Sequence, residues 1–489
     1  MSSRNLLSDP CWQAADLGCP MPLSPHAVSV ALPRWQDVID YEEKDPACLK
    51  ALQAIYPRFG LNPLVEEVTR IALQQHGSSN SSAWPYPTIA AAEQALSHCQ
   101  RSEALAKTTI AKVLDLPCLI ADATATPAAK AFWQHTGLGA SSRQAAIALG
   151  KESRPSPQEG EDARGCLRRR LAKIYDCDEG LIQLHPSGMA ALNTALKAVT
   201  AISPGRPTLQ LGFPYVDVLK LPQVVFEGSD LLLSTKPSDL AKELDARQPA
   251  AVIVELPSNP LLLCVDLPTV AKLAHERGIP VIADDTIGSA FNINALPYAD
   301  LIFSSLTKSF AGRGDILAGA LAISPFSTWK NKLREEVAAA PAPLADADSI
   351  ALETASRDVN QRLPQLNAAC LKLANRLAKH PAVARLLHPG QCKNFQALMR
   401  PQAGHGCLLS IELKGGLEHA QRVYDALEVC KGPSLGTNFS LVCPYVLLAH
   451  YQELDWAESC GVPPHLLRIS VGLENPEVLW ERFRKALEA

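Results

Sequence analysis

The strongest constraint on the fold of this chain is a regular alternation of short apolar runs with helix-like segments between residues 131 and 325. The clearest apolar runs lie at 209–211, 252–254, 281–283 and 301–303. A helix-like segment at 267–276, which ends before Gly278, separates two of them. Repetition of strand, helix and strand predicts an α/β fold with a parallel-rich sheet covered by helices on both faces.

Composition shifts divide the chain into three predicted parts. Before residue 131 the pattern is irregular, with frequent prolines and a polar link at 77–82, and after residue 325 an Ala/Pro stretch at 338–343 suggests a surface connection. A long helical pattern from about 349 to 380 then leads into a mixed α/β tail. We therefore expect an N-terminal extension over 1–130, a large domain over 131–325 and a smaller C-terminal α/β domain over 326–489.

Charge and cysteine content exclude several classes of partner. The formal net charge of −4 gives no broad attraction for nucleic acid or for anionic membranes. Fourteen cysteines are scattered without CxxC pairs, so we expect reduced thiols, no metal site and a cytoplasmic location. No apolar run has the length of a membrane span, and the first residues lack the apolar core of a secretory signal.

Lys308 is the residue with the most chemical meaning. It follows the apolar run 301–303 within a stretch of small hydroxyl residues that includes Ser305 and Thr307. Burying an ammonium group is costly, and a desolvated lysine can act as a nucleophile and form a Schiff base with an aldehyde cofactor. The neighbouring hydroxyls could bind a phosphate of that cofactor, and this combination indicates pyridoxal 5'-phosphate.

Lys308 also has two other possible interpretations. It could be a surface lysine in a polar loop. Alternatively, Ser305-x-x-Lys308 could be a serine nucleophile with its lysine base, but that motif goes with Ser-Asp-Asn and Lys-Thr-Gly tripeptides. Neither tripeptide occurs in the sequence, which disfavours the serine-nucleophile interpretation.

Other segments supply suitable groups after predicted strands, where ligands of parallel α/β domains bind. Asp284 could keep the ring nitrogen of the cofactor protonated, and amides around Gly188 and Met189 could hold its phosphate at a helix N-terminus. Asn259 could bond the phenolic oxygen, and Tyr215 could stack on the ring.

Each of these signals also has an ordinary structural explanation. An aspartate after a strand often caps a helix, and Asp285 suits that role at least as well as a cofactor contact. The remaining residues could be a capping serine, a turn before Pro260 and a half-buried tyrosine. Their order and their common placement at strand ends favour the cofactor interpretation.

The sequence resembles the cystathionine γ-synthase group of the pyridoxal-phosphate enzymes of cysteine and methionine metabolism. The motifs that carry this resemblance are Ser187-Gly188-Met189-Ala190, Glu255-x-Pro257-x-Asn259-Pro260, Asp284-x-Thr286, Ser305-x-Thr307-Lys308, Ser434-Leu435-Gly436 and the segment from Leu467 to Glu474. A closer similarity, to long fungal-type members, rests on the motifs around Pro25-His26-Ala27, Tyr41-Glu42-Glu43, Tyr56-Pro57-Arg58-Phe59, Trp133-Gln134-His135, Ser141-Ser142-Arg143 and Phe213-Pro214-Tyr215. The resemblance implies the aspartate-aminotransferase-like fold, known as fold type I of these enzymes.

The resemblance also implies a role for each matching residue. Lys308 would hold the cofactor and move protons, with Tyr215 stacking on the ring and assisting acid–base steps. The other cofactor contacts would be Asp284, Asn259, Gly188, Met189, Ser305 and Thr307. Arg468 would clamp the substrate α-carboxylate, with Ser434 beside it.

The sequence departs from the family pattern at three places. Compact members grip the phosphate with a Tyr-x-Arg pair from a neighbouring subunit, and no tyrosine occurs around 149–154, which leaves Arg143 and Arg154 as candidates. The family's usual Asn is Asp285 here, and its usual His after Gly312 is Arg313. These changes bear on substrate identity more than on cofactor binding.

The function implied is γ-replacement, in which an O-acyl- or O-phosphohomoserine and cysteine give cystathionine. The alternatives are a cystathionine γ- or β-lyase, γ-replacement by sulfide or a carbon acid, and a catalytically silent regulatory homologue. The resemblance implies small amino-acid substrates and a homodimer or homotetramer.

Overall fold

The computed structural model describes residues 4–57, 59–102 and 107–489. Its strands form a three-stranded, a seven-stranded and a five-stranded sheet, in that order along the chain. All fourteen cysteines are free thiols. None of the helices within the described ranges is long and apolar enough to cross a membrane.

The N-terminal part contains an antiparallel sheet of its own. Its elements are α1 (Trp35–Glu42), α2 (Pro46–Ala51), α3 (Pro63–His76), β1 (Ser82–Pro85), α4 (Ile89–Ser102), β2 (Thr108–Val113), β3 (Leu116–Ala121), α5 (Thr126–Thr136) and α6 (Ser142–Ala148). The strand order is β1-β3-β2. Val65 and Val68 of α3 share a buried cluster with Val113 and Ile120 of the sheet. Helix α5 runs across residue 130, and the domain boundaries at 130 and 325 stay predictions.

The central part has the predicted strand–helix alternation. Its elements are α7 (Pro157–Tyr175), β4 (Ile182–His185), α8 (Gly188–Ile202), β5 (Thr208–Leu211), α9 (Val216–Val225), β6 (Ser229–Leu232), α10 (Pro237–Arg247), β7 (Val252–Glu255), α11 (Leu267–His275), β8 (Val281–Asp284), α12 (Ser289–Asn292), β9 (Leu301–Ser305) and β10 (Gly319–Ile323). The strand order is β4-β10-β9-β8-β7-β5-β6, and only β10 runs antiparallel to its neighbours.

Both faces of this seven-stranded sheet are buried, as continuous apolar strands require. Along β7, Val252 and Val254 pack in one apolar cluster with Leu171 of α7, whereas Ile253 packs in a second cluster with Leu192 of α8. Successive side chains of a strand point to opposite faces, so the sheet lies between two helical layers. The predicted α/β fold with a parallel-rich sheet is confirmed.

The C-terminal part is a smaller mixed α/β unit. Its elements are α13 (Lys330–Ala338), α14 (Asp346–Ala355), α15 (Val359–Leu377), β11 (Val383–Leu387), α16 (Lys393–Leu398), β12 (Leu408–Leu413), α17 (Gly416–Ala426), β13 (Cys430–Lys431), β14 (Leu441–Pro444), α18 (Tyr445–His450), α19 (Leu454–Ser459), β15 (Leu467–Ser470) and α20 (Pro476–Leu487). The strand order is β11-β12-β15-β14-β13. The helical pattern predicted from 349 to 380 is two helices, because α14 ends before the non-helical residue Ser356.

The topology brings several chemical groups to one edge of the large sheet. Strands β5, β7 and β8 are parallel neighbours, so their carboxyl ends lie together. Glu255 at the end of β7 is the register partner of Asp284 at the end of β8. Tyr215 follows β5 and donates its backbone N–H to Glu255 Oε1 at 2.5 Å. The candidate site is built on this edge.

Candidate active site

Lys308 lies in the connection between β9 and β10, and its side chain is buried among polar groups. Its Nζ donates to Ser434 Oγ at 3.1 Å and to Tyr56 Oη at 3.2 Å. The residue is 9% exposed, and Nζ lies 5.1 Å from the centroid of the Tyr56 ring. The amine is therefore held by two hydroxyl groups from segments far away in the sequence, next to an aromatic face.

The turn that carries Ser434 has an unusual backbone conformation. Ser434 has φ +87°, in the left-handed region that few non-glycine residues adopt. Gly436, two residues later, has φ +73°, and a Cβ atom there would lie 2.5 Å from the backbone nitrogen of Ser309. The glycine therefore allows this turn to approach the Lys308 segment closely, and the turn presents the Ser434 hydroxyl to the amine.

Arg468 reaches the same turn from the middle of the C-terminal sheet. It lies on β15, is 6% exposed, and donates from Nη2 to the Ser434 carbonyl at 2.7 Å and from Nη1 to Asn259 Oδ1 at 3.4 Å. Its guanidinium also lies 5.0 Å from the Tyr445 ring centroid. These contacts fix the planar group at the wall of the Lys308 cavity.

Two neighbouring carboxyl groups line the same cavity, the buried Glu255 and the half-buried Asp284. Burial raises the pKa of Asp284 to about 6, even though the Thr286 N–H donates to Oδ1 at 2.8 Å. Burial, together with the Asp284 charge, raises the pKa of Glu255 well above its ordinary value. A cation beside Asp284 would stabilise its charged carboxylate, and a protonated ring nitrogen would be such a cation.

Asp285 faces a different environment. It accepts a hydrogen bond from Tyr175 Oη at 2.9 Å and is also bonded to Ser304, and burial raises its pKa to about 7. The N-cap position of the short helix α12 is occupied by Gly288, so Asp285 is not the N-cap residue of that helix. Asp285 thus belongs to a buried polar cluster next to the site.

The predicted phosphate end lies at the start of α8. Ser187 caps this helix by accepting the N–H of Ala190 at 3.1 Å, and the first two helical residues, Gly188 and Met189, line the cavity. A Cβ atom at Gly188 would lie 2.8 Å from Ser305 Cβ, so glycine is needed for the close approach. The Thr307 hydroxyl also lies at the cavity wall, where it exchanges hydrogen bonds with the backbone of Ala318.

Tyr215 and Tyr56 are hydrogen-bonded to each other through their side chains. Burial alone would raise the pKa of Tyr56, but the Lys308 charge and hydrogen bonds from Lys308 and Tyr215 lower it below the ordinary value, with Arg468 contributing in the same direction. Tyr56 Oη can therefore exchange a proton with Nζ more easily than an isolated phenol.

Sequence reasoning missed two members of the site. In the sequence, Tyr56 stands out only as part of a fungal-type motif, although Tyr56-Pro57-Arg58 has the Tyr-x-Arg spacing that is missing around 149–154. Arg58 lies outside the described residues. Glu255 belongs to the motif before Pro260, and its Oε1 and Oε2 accept the N–H groups of Tyr215 and Asn259.

The two arginines that are candidates for the phosphate grip are bonded to other groups of their own chain. Arg143 Nη1 donates to the Asp315 carbonyl at 2.8 Å and lies 3.4 Å from Asp348 Oδ1. Arg154 pairs with Asp115 at 2.7 Å, and both side chains are more than half exposed. Neither arginine lines the Lys308 cavity of its own chain, and a contact with the site of a neighbouring subunit stays a prediction. Arg313, which stands in place of the family's usual His after Gly312, is exposed.

The cavity has the donor set that pyridoxal phosphate needs. Its lining combines the buried Lys308 amine, the Asp284 carboxyl group, the Tyr215 ring, and the start of helix α8 beside Ser305, where a phosphate could bind. Its free volume is about 210 Å³. Among the residues described, no group of three or more His, Cys, Asp or Glu side chains could hold a metal ion.

Comparison with known proteins agrees with this chemistry. The family model described as "Cys/Met metabolism PLP-dependent enzyme" matches residues 158–488. The chain belongs to that family. A second model, "Fungal trans-sulfuration enzyme, N-terminal domain", matches residues 64–141 and confirms the similarity to long fungal-type members.

Relatives within the Cys/Met metabolism family match along nearly the whole chain. A cystathionine gamma-synthase of Neurospora crassa is 30% identical, with 97% of this chain and 98% of the relative covered. An L-2-amino-4-chloropent-4-enoate dechlorinase/desaturase of Streptantibioticus cattleyicolor is 32% identical, with 96% and 97% covered. These two relatives are named for different reactions.

Solved structures confirm the fold. Cystathionine gamma synthase of Xanthomonas oryzae pv. oryzae, in complex with cystathionine, is 26% identical, with a TM-score of 0.61, and the match covers 69% of this chain and 88% of that one. The protein is thus a pyridoxal-phosphate enzyme of fold type I, and pyridoxal 5'-phosphate is its cofactor.

Proposed function

We propose that this enzyme catalyses γ-replacement on an O-acyl- or O-phosphohomoserine, with cysteine as the incoming nucleophile and cystathionine as the product. The observation that carries the proposal is the position of Lys308 Nζ, held by Ser434 and Tyr56 beside the turn that Arg468 contacts. A γ-replacement needs one base that can serve successive carbon atoms of a substrate whose carboxylate is fixed. The names of the Neurospora and Xanthomonas relatives support the same reaction.

Lys308, Asp284 and Tyr215 would hold the cofactor, with Asn259 beside the ring and Gly188, Met189, Ser305 and Thr307 at its phosphate. When bound, pyridoxal phosphate supplies an electron sink for the negative charge that develops at the substrate α carbon. The Asp284 carboxylate would stabilise the protonated ring nitrogen, and this protonation keeps the electron sink effective.

The protein groups would then divide the remaining work. Arg468 would bind the α-carboxylate with its planar guanidinium and so fix the α and β carbons relative to Lys308. Nζ would remove the proton from Cα, and the departing ester group would leave from Cγ. Ser434 Oγ and Tyr56 Oη would steer Nζ between positions, since both already contact it. Tyr215, bonded to Tyr56, would assist these proton transfers.

A second candidate function is γ-elimination, in which no nucleophile is added. The name of the Streptantibioticus relative's substrate places the departing chlorine on C4, the γ carbon of the amino acid. In cystathionine cleavage, and in replacement by sulfide or a carbon acid, a leaving group also departs from a side-chain carbon. The protein groups around Lys308 would serve all of these reactions.

Product analysis separates these candidates. The purified enzyme, loaded with pyridoxal phosphate, would be incubated with O-acetyl-, O-succinyl- and O-phosphohomoserine, each with cysteine, with sulfide and without a nucleophile. We expect cystathionine from one ester with cysteine. Release of 2-oxobutanoate at the same rate with and without cysteine, with no cystathionine, would contradict the proposal.

The Lys308→Ala variant tests the assignment of the base. It should lose turnover by about 10³-fold or more, because covalent attachment and proton transfer both depend on Nζ. Lys332→Ala is the matched control, since Lys332 is exposed on α13 and donates only to a backbone carbonyl. We further propose a homodimer or homotetramer, to be checked by light scattering, and a cytoplasmic location.

A further inference from the structure

The cavity that contains Lys308 has a second wall formed by the N-terminal part of the chain. This wall includes His26, Val28 and Ser142. Val28 donates its N–H to the Gly314 carbonyl at 2.9 Å, and Ser29 Oγ donates to the Pro433 carbonyl at 2.6 Å. The segment that carries His26 is therefore hydrogen-bonded to two turns next to the site. One is at Gly314, which follows Lys308 in the sequence, and the other is at Pro433, which precedes Ser434.

His26, Ser142 and Glu152 form a linear hydrogen-bonded set. His26 Nδ1 lies 2.9 Å from Ser142 Oγ, and Nε2 lies 2.7 Å from Glu152 Oε1. An ionised carboxylate only accepts hydrogen bonds, so Nε2 carries a proton toward Glu152. In the neutral ring, Nδ1 then accepts the Ser142 hydroxyl proton. Ser142 is thereby arranged to give up a proton and to accept another from a group in the cavity.

The set leads from the cavity to solvent. The side chain of His26 is 8% exposed and that of Glu152 is 39% exposed. Asp348 also interacts electrostatically with His26; it accepts a hydrogen bond from Ser141 Oγ at 2.5 Å and lies 3.4 Å from Arg143. Asp348 and Arg143 compensate each other, so Glu152 is the group that can stabilise a positive imidazole ring.

We infer that Ser142, His26 and Glu152 form a proton relay that deprotonates the thiol of the incoming nucleophile, an inference that rests on the proposed γ-replacement. The relay is separate from Lys308, whose amine serves the α and β carbons of the first substrate. It would give the second substrate its own base on the part of the cavity wall that carries His26 and Ser142.

The proton and electron balance of this step is simple. The S–H bond breaks, its proton passes to Ser142 Oγ, and the Ser142 proton passes to His26 Nδ1. The sulfur electron pair forms the C–S bond at the γ carbon, which the ester oxygen has left with its own electron pair. The proton on His26 is released to water past Glu152. The overall products are a thioether, a carboxylate or phosphate, and one proton.

The relay can be tested by comparing two nucleophiles with His26→Asn. Near pH 7 only about 3% of cysteine is thiolate, given its ordinary pKa of about 8.5, whereas about half of sulfide is already HS⁻ and needs no base. At that pH we expect the variant to lose about 10- to 30-fold in the rate with cysteine and to change less than about threefold with sulfide. Ser142→Ala should behave like His26→Asn, and Glu152→Gln should show a smaller loss of about threefold to 10-fold with cysteine.

Controls separate the relay from structural damage. His275→Asn removes a comparable histidine–carboxylate pair, since His275 Nε2 lies 2.9 Å from Asp300, outside the cavity. Its ratio of cysteine to sulfide rates should equal that of the wild type. A folding defect in His26→Asn would lower both rates together, and this outcome would overturn the relay. Elution of the cofactor from His26→Asn would likewise overturn it, because His26 would then hold the cofactor.

Two further outcomes separate the relay from its premises. If the wild type forms cystathionine and His26→Asn leaves both rates unchanged, the relay is wrong and the γ-replacement stands. If the wild type eliminates the ester group but adds neither thiol, the γ-replacement is wrong, and the relay is wrong with it. Intact-mass detection of an acyl group on Ser142 would identify Ser142 as a nucleophile and would also overturn the relay.

Discussion

Asp284 and Asp285 are adjacent in sequence, yet their carboxyl groups serve different environments. Asp284 lines the cavity of Lys308 and ends strand β8. Asp285 is 1% exposed and accepts a hydrogen bond from Tyr175 Oη at 2.9 Å. Burial raises the pKa of both groups, to about 6 for Asp284 and to about 7 for Asp285. The two carboxyl groups therefore provide matched variants that separate catalysis from stability.

Asp284→Asn should lower kcat by about 10²-fold or more while Asp285→Asn leaves it within a few-fold. The amide cannot provide a negative charge opposite the ring nitrogen, and a charge-assisted contact is about twice as strong as a neutral one. Steady-state kinetics on both variants, with cofactor content determined by visible absorption, would check this. Equal losses in the two variants would contradict the assignment of Asp284.

Asp285 should make the folded protein less stable as the pH rises from about 4 to about 7. Its pKa is raised to about 7 from an ordinary 3.8, so in this window the folded protein keeps a proton that the unfolded chain releases. The full effect, present above the folded pKa, is on the order of 4 kcal/mol. Asp285→Asn should flatten the dependence of the thermal midpoint on pH, and Tyr175 can still donate to the amide oxygen.

Asp162→Asn is the control for the stability prediction, since Asp162 is exposed on α7. Asp284 has a pKa shift of the same direction, so some slope should remain in Asp285→Asn. A midpoint that depends on pH as strongly in Asp285→Asn as in the wild type would show that Asp285 is not the group responsible.

Arg468→Lys should raise the KM of the amino-acid substrate about 10- to 100-fold with a smaller effect on kcat. Lysine cannot reproduce a two-pronged contact with a carboxylate, and one lost hydrogen bond to a charged group is worth about 1.5–3 kcal/mol. The dissociation constant can be measured from the change in cofactor absorption. Arg376→Lys is the control, because Arg376 pairs with Glu477 at 2.7 Å on the surface. An unchanged KM in Arg468→Lys would exclude Arg468 from carboxylate binding.

Tyr56→Phe should lower kcat about 10- to 100-fold and leave KM within a few-fold. The substitution removes one of the two hydroxyl groups that Lys308 Nζ contacts, at 3.2 Å, and keeps the aromatic ring beside it. Rate measurements across pH would show whether proton transfer is affected. Tyr451→Phe is the matched control, since Tyr451 donates to Glu43 at 2.6 Å far from the amine. Similar rates for both variants would remove Tyr56 from the proton-transfer steps.

Much of the site was predictable because its signals are local. Lys308, Asp284 and Asn259 each follow a strand that is recognisable as an apolar run, and parallel strands bring their carboxyl ends together. Arg468 could be predicted only from the resemblance, since no local pattern connects β15 of the small sheet with the large sheet. The structure brings all four residues to one cavity.

Tyr56 shows the limit of this reasoning. Its contact with Lys308 joins residues 252 positions apart, and nothing in its neighbourhood of turns and prolines indicates a buried site. The irregular pattern of the N-terminal part therefore predicts no chemistry, although this part forms one wall of the cavity.

Apolar periodicity and short motifs at strand ends are encoded within a few neighbouring residues, and they are enough to predict the α/β fold, the cofactor and the family. The groups that surround the amine of Lys308, and the histidine that lines the same cavity, are known only from the folded chain. Those contacts depend on how the N-terminal segment packs against the turns at Gly314 and Pro433. Packing between distant segments is a property of the whole chain, and no local pattern carries it.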